Sequence, residues 1–288
     1  MRWSVDQRLA FIETRLYWEG RINRKDLEEY FHISTPQASG DFKRYMAECP
    51  DNMIYDFNKK VYKISPDFHP KYISTDPEEF FFQLKLTQNK RFKKQIYLGY
   101  LPEIYLAPYP ARFISPQTLR KVLQAMRDKH ALEIQYQSMT TPEPHWRWIT
   151  PHAFGFDGSR WHLRCYCHSH KEFRDFLLAR ILNTGETRQH RINPQKDLLW
   201  HTQIDFHIRP HPELSQHQQR VIELDFGMKN SQTTFPVKAA FVFYILRSFE
   251  YEWKGASDTQ PRIILTNKKE IIQQVEQLKS QQKEIDPF

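Results

Sequence analysis

The run Ser34-Thr35-Pro36-Gln37 fixes a helix start more tightly than any other stretch of this 288-residue chain. Serine is a preferred N-cap, proline is tolerated only in the first helical turn, and a glutamine three residues after the cap closes a capping box. Ala38, Phe42, Tyr45 and Met46 then recur at helical spacing and predict one buried stripe. Two further helices precede this one. Ser4 and Gln7 form a second cap pattern, followed by Val5, Leu9, Ile12 and Leu16, with Gly20 as the stop. A short helix starts near Asn23, with Leu27, Tyr30 and Phe31 inward, and His32-Ile33 makes a tight connection. After the third helix come Met53 to Phe57, the tip Asn58-Lys59-Lys60, and Val61 to Ile64, which reads as a hairpin with a basic tip. Three capped helices followed by such a hairpin predict a winged helix-turn-helix.

The exposed face of the third helix carries Thr35, Gln37, Ser39, Lys43 and Arg44. Short polar and basic groups near a helix N-terminus suit base edges and phosphates. With the cap Ser34, with Arg24 at the start of the second helix, and with Lys59 and Lys60 on the wing, they are the expected DNA-binding residues. Local charge does not support the assignment, because residues 1–65 hold 11 basic and 10 acidic side chains. The net charge of +8 is concentrated in the middle of the chain. There Lys90, Arg91, Lys93 and Lys94 read equally well as a phosphate-contacting run or as a solvated helix face. Asp76-Pro77 opens a helix with Phe80, Phe81 and Leu84 as its apolar residues. Leu101 to Pro116, rich in proline and aromatics, predicts an extended, packed linker.

Three cysteines do not make a disulfide framework. Cys165, Cys167, His168 and His170 lack a second, separated ligand pair and read as a strand followed by a polar turn. No metal site and no cofactor is expected. The start of the chain has no signal-peptide pattern and the longest apolar stretch is too short to span a bilayer, so a cytoplasmic protein with no membrane partner is expected.

Ser115-Pro116 opens a helix with Leu119, Val122, Leu123 and Met126. Four strands are predicted after it: Ala131 to Gln137, Trp146 to Thr150, Arg160 to Cys167 and Phe173 to Ile181. One helix feeding short antiparallel strands predicts a small SH3-like barrel. Four separated pieces over residues 116–190 resemble the WYL domain: Leu132 to Ser138, Trp148 to His152, Gly158 to Leu163 and Phe173 to Ile181. The name-giving tripeptide falls on Trp161-His162-Leu163, with histidine where the family usually has tyrosine. The resemblance implies a pocket for a nucleotide or nucleic-acid effector. Tyr136, Ser138, Arg147, His152, His162, Arg174 and Arg180 are its expected lining, since arginine forks suit phosphates and aromatic faces suit bases. Arg174 and Arg180 share strand parity, which predicts that both face one side. Trp161 and Leu163 are expected in the core.

In the last part, Gln219 to Phe226 alternates like a strand, Val237 to Phe249 has helical spacing, Arg262 to Thr266 is strand-like, and Ile271, Val275 and Leu278 mark a final helix. Asp205, His207 and His211 fall in a His-Pro-rich stretch that reads as a connector. The whole is an α+β, multi-domain chain: a winged helix-turn-helix over 1–66, a linker with helices over 67–114, a WYL domain over 115–192, and a small α/β extension over 193–288. The layout is similar to that of regulators in the BrxR and CapW group, associated with bacterial phage defence. That similarity implies a homodimeric repressor of a defence operon, bound to an inverted repeat of double-stranded DNA and relieved by an effector. Two other classes stay open. A nucleic-acid-processing enzyme or an accessory subunit of a defence complex needs a carboxylate cluster or a nucleophile–base pair, and neither spacing is evident. An adaptor would use the winged helix for protein contacts.

Overall fold

A computed structural model describes residues 4–88, 97–108, 110–252 and 262–288. The basic run Lys90, Arg91, Lys93 and Lys94 lies outside the described residues. The chain divides into two units, Met1–Tyr109 and Pro110–Phe288.

In the first unit, caps set the helix boundaries. Helix α1 (Val5–Glu19) starts at a reciprocal Ser4–Gln7 box and stops at Gly20, whose φ of 73° a side chain would resist. Helix α2 (Arg24–Phe31) starts at a second reciprocal box, Asn23 with Asp26, and ends on His32 in the left-handed region. Helix α3 (Thr35–Glu48) starts at Ser34, whose hydroxyl accepts from the Gln37 amide at 3.4 Å. Gln37 does not return the bond, so the expected box is only half made and its side chain stays in solvent. Strands β1 (Arg21–Ile22), β2 (Met53–Asp56) and β3 (Val61–Ile64) form an antiparallel sheet in the order β1-β3-β2. The short β1 was not foreseen.

Leu9, Ile12, Leu16, Leu27, Ala38, Phe42 and Tyr45 are almost wholly buried together. Two polar groups share that core. Arg8 pairs with Asp41 of α3 at 2.6 Å, fixing α1 against α3. Glu13, fully buried, accepts from the Tyr45 hydroxyl and from the amides of Lys71, Tyr72 and Ile73. Those bonds hold the segment after the wing against α1. Helix α4 (Pro77–Leu86) is capped by Asp76. It buries Leu84 and leaves Phe81 half exposed. The described residues from Leu101 to Ser115 carry no helix or strand and are not packed as expected: Tyr105 and Phe113 are 83% and 81% exposed.

The second unit begins with α5 (Pro116–Asp128), which buries Thr118, Val122 and Ala125 and leaves Leu123 exposed. It covers an antiparallel sheet of β4 (Ala131–Tyr136), β5 (His145–Phe156), β6 (Trp161–Cys167), β7 (Glu172–Leu177) and β8 (Ile181–Arg188) in the order β7-β6-β5-β4-β8. The sheet is open: β7 and β8 are its edges, and no ladder joins them among the described residues. The single strand expected over 173–181 is two strands separated by a 3-10 turn, Leu178–Arg180. That turn destroys the common parity of Arg174 and Arg180. Leu132, Ile134, Ile149, Leu163, Cys165 and Cys167 are fully buried in the core. Trp161 is not in it; its ring lies half exposed against Phe156.

The rest of the unit comprises α6 (Leu198–His201), β9 (Gln203–Pro210), α7 (Gln216–Asp225), β10 (Thr233–Lys238), a 3-10 turn, α8 (Val242–Glu252), β11 (Ile263–Leu265) and α9 (Lys268–Glu284). Its sheet runs β10-β9-β11, all antiparallel. Two expectations fail here. Gln219 to Phe226 is helical, because Ser215 and Gln218 form a capping box at the start of α7. The supposed connector holding Asp205 and His207 is the central strand, with Ile204, Phe206 and Ile208 buried on one face. No helix among the described residues is long and apolar enough to cross a membrane. No group of three or more His, Cys, Asp or Glu among them is placed to hold a metal ion.

Candidate nucleic-acid interface and effector pocket

On α3, Thr35, Gln37, Lys43 and Arg44 are exposed, and Ser39 is partly so. The first turn contains no acidic residue, so the amide dipoles at the N-terminus keep their positive field. Arg24 reaches from α2 to donate to the Ser39 hydroxyl at 3.2 Å. That bond brings a cation onto the same polar face. Arg44 is less available than its exposure suggests. Its guanidinium donates to Glu48 at 2.9 Å, and Glu48 also receives Lys71 at 2.7 Å and the Tyr72 hydroxyl. Lys71, Tyr72 and Arg44 hold the Glu48 carboxyl at about 2.

On the hairpin, Lys59 and Lys60 are exposed at the tip, with Lys60 at φ 53°. The turn is held by Asp56, which accepts from the amides of Asn58 and Lys59, both at 3.0 Å, and pairs with Lys63 at 2.6 Å. Phe57 stands beside the lysines with 82% of its surface exposed. Its role at the tip was not anticipated, although an aromatic at the edge of a basic turn was visible in the sequence.

The residues expected to line the effector pocket divide into three groups. Tyr136 is buried; its hydroxyl accepts from the Leu177 amide and its ring meets Phe176 edge-on. Arg147 lies over both rings, at 5.6 and 5.8 Å from their centroids, and its Nε is buried with no hydrogen-bond partner among the described residues. Ser138 sits just beyond β4 and bonds Thr140 within its own turn. Arg180 lies on the 3-10 turn, where its carbonyl accepts from the Gln137 amide.

His152 and His162 belong to a second group, a buried charge network. His152 meets Asp197 at 3.0 Å. Arg164 forks onto the same carboxylate, at 2.8 and 2.9 Å, and reaches Asp175 at 3.2 Å. Asp197 is fully buried and also caps α6. Burial alone would raise its pKa, but His152 and Arg164 outweigh that and hold it at about 2. Asp175 moves the other way: burial raises it despite Arg164. His162 bonds Asp157 at 2.8 Å and lies against Tyr244 of α8, with centroids 4.1 Å apart. This network ties the five-stranded sheet to the segment after it. Histidine in place of the family's usual tyrosine is therefore a structural contact here. Arg164, Asp175, Asp197 and Tyr244 were not anticipated, because their partners are distant in sequence.

Arg174 stands apart from both groups. It pairs with Glu172 at 3.2 Å and lines a cleft of about 750 Å³ between β7 and the helices α8 and α9.

Three families match consecutive parts of the chain: the BrxR transcriptional regulator winged helix-turn-helix domain over residues 4–86, the WYL domain over 117–184, and the BrxR transcriptional regulator C-terminal dimerization domain over 203–271. The DNA-binding transcriptional repressor CapW of Stenotrophomonas maltophilia is 34% identical over 281 residues, covering 95% of this chain and 93% of that one. The CapW repressor of Pseudomonas aeruginosa is 34% identical over 274 residues, covering 94% and 91%. Among solved structures, proteasome accessory factor B/C of Arthrobacter aurescens aligns over 98% of this chain and 49% of its own, at 13% identity and a TM-score of 0.26, too low to bear on the fold. Identity to two repressors across nearly the whole chain, with the three domains in order, makes this chain a member of the CapW and BrxR family of WYL-domain regulators.

Proposed function

We propose that the protein is a DNA-binding transcriptional repressor of a phage-defence operon, working in the cytoplasm as a homodimer on an inverted-repeat operator. The observation that carries this reading is the α3 face: exposed Thr35, Gln37 and Lys43 on a helix capped by Ser34, in a chain whose relatives are named repressors. Arg24, Ser34, Ser39, Arg44, Lys59 and Lys60 complete the interface. The reading is of a regulator rather than an enzyme. The division of labour follows the segments 1–66 for DNA, 67–114 as linker, 115–192 for sensing and 193–288 for self-association. The strand order of the sensing sheet, with a 3-10 turn before its last strand, supports an SH3-like barrel. A nucleotide or nucleic-acid effector relieves repression. Arg147, stacked on Tyr136 and Phe176 with an unpartnered Nε, supports a place for an anionic group there.

A mobility-shift assay with the duplex upstream of the protein's own gene tests the reading. Wild type shifts it as one dimer complex, and Gln37→Ala with Lys43→Ala abolishes the shift. Binding that survives the double variant, or a wild type that shifts no upstream duplex, refutes the interface.

A further inference from the structure

We infer that the cleft between β7 and helices α8 and α9 is where a nucleotide unit binds, its phosphate held by Lys171, Arg174, Lys279 and Lys283 and its base stacked on Phe243. The inference rests on the effector reading above and gives that effector a site.

The cleft has the size of a small-molecule site. Two walls built from different parts of the chain bring its cations together. On one side, the turn into β7 presents Lys171, at φ 54°, followed by Arg174. On the other, Val275, Lys279 and Lys283 recur every four residues and so stand on one face of α9. Lys171, Lys279 and Lys283 are exposed and have no acidic partner among the described residues. Three unpaired ammonium groups and a guanidinium around one concavity form a field that like charges alone would not favour. His170 is also on the lining. Its pKa is lowered, first by burial and then by Arg174 and Arg147, with Glu172 opposing.

The acids nearby do not cancel it. Asp175 is already engaged by Arg164 and by the Tyr244 hydroxyl, at 3.4 Å. Glu172 holds Arg174 through a half-exposed pair at 3.2 Å, which a phosphate can displace at little cost. Gln282 is occupied by the backbone of Lys196 and Leu198. The remaining large group is Phe243, 65% exposed at the edge of the cleft, with its ring against Tyr244. An exposed aromatic beside a ring of cations suits a base joined to a phosphate. The mouth joins the sensing sheet to the segment matched to the dimerization domain, so occupancy bears on both.

The test is fluorescence anisotropy of the full chain at low salt, with mant-AMP and with a fluorescein-labelled eight-nucleotide single strand as separate probes. Wild type binds at least one of them, and which one identifies the source of the unit. Lys279→Glu with Lys283→Glu weakens that binding by more than about tenfold, and Phe243→Ala by about tenfold. Lys229→Glu with Lys269→Glu, the same charge change outside the cleft, leaves it within about twofold. If the double lysine variant binds like wild type while Arg147→Ala does not, the cleft is wrong and the effector reading stands. If wild type binds neither probe, both fall.

Discussion

Replacing Asp197 with asparagine tests the idea that one buried carboxylate fastens the sensing sheet to the C-terminal segment. Asparagine keeps the volume and one oxygen for the α6 cap but removes the charge that Arg164 and His152 share. Asp197 is held at about 2, against an ordinary 3.8. A folded-state pKa below the unfolded one gives stability that is complete above about pH 4 and is lost as pH falls toward 2. The difference corresponds to about 2–3 kcal/mol at neutral pH. Asp175 works in the opposite sense, because a carboxyl raised by burial favours the folded state as it gains a proton. The wild-type acid limb is therefore shallower than Asp197 alone implies, and the comparison between wild type and variant reads Asp197 together with its coupling to Asp175. Urea unfolding followed by tryptophan fluorescence between pH 7 and pH 2.5 reads it. The destabilisation should be about 2–3 kcal/mol at pH 7 and shrink steadily below pH 4. A difference independent of pH, or one below about 0.5 kcal/mol at pH 7, would show that the network is not a net electrostatic clamp.

Three further outcomes follow from the geometry. Glu13→Gln weakens four hydrogen bonds from Tyr45 and residues 71–73; it should cost about 2–3 kcal/mol in denaturant unfolding and speed proteolytic cleavage near residue 72. Gly155→Ala places a Cβ 2.0 Å from the Phe241 ring, so thermal unfolding should show a loss of about 1–3 kcal/mol. Lys59→Ala with Lys60→Ala should lower the slope of log affinity against log salt for the operator by about 1.8, while an unchanged slope removes the wing from the phosphates.

The parts of the fold most visible in the sequence are those where a local signal coincides with the tertiary contact. Ser4, Asn23 and Ser34 mark helix starts because a cap bonds within three residues. The same signal at Ser215 and Gln218 was present, but the alternation of Ile222, Leu224 and Phe226 with Glu223 and Asp225 after it read as a strand. In β9 the alternation of Ile204, Phe206 and Ile208 was equally clear, and the nearby prolines obscured it. Pro210 ends that strand, and Pro236 sits on β10, an edge strand that can spare a donor. The site was less legible than the fold. Arg164 and Asp197 are 33 residues apart, and the lysines of α9 meet β7 from more than a hundred residues away. No spacing rule connects such groups before the chain is folded. Helix α3 was legible because its cap and its polar face lie within one element.

The strand order of the second unit also sets when each part of the chain can fold during synthesis. Edge strand β8 closes on β4, about fifty residues earlier, and β11 closes on β9 after a comparable delay. The first unit closes over similar separations, Glu13 onto residues 71–73, but its helices and strands all lie within residues 4–86 and are synthesised first. On the ribosome the first unit therefore emerges whole before the second. A chain interrupted after residue 109 would carry the α3 face and the wing without the segments matched to the WYL and dimerization domains.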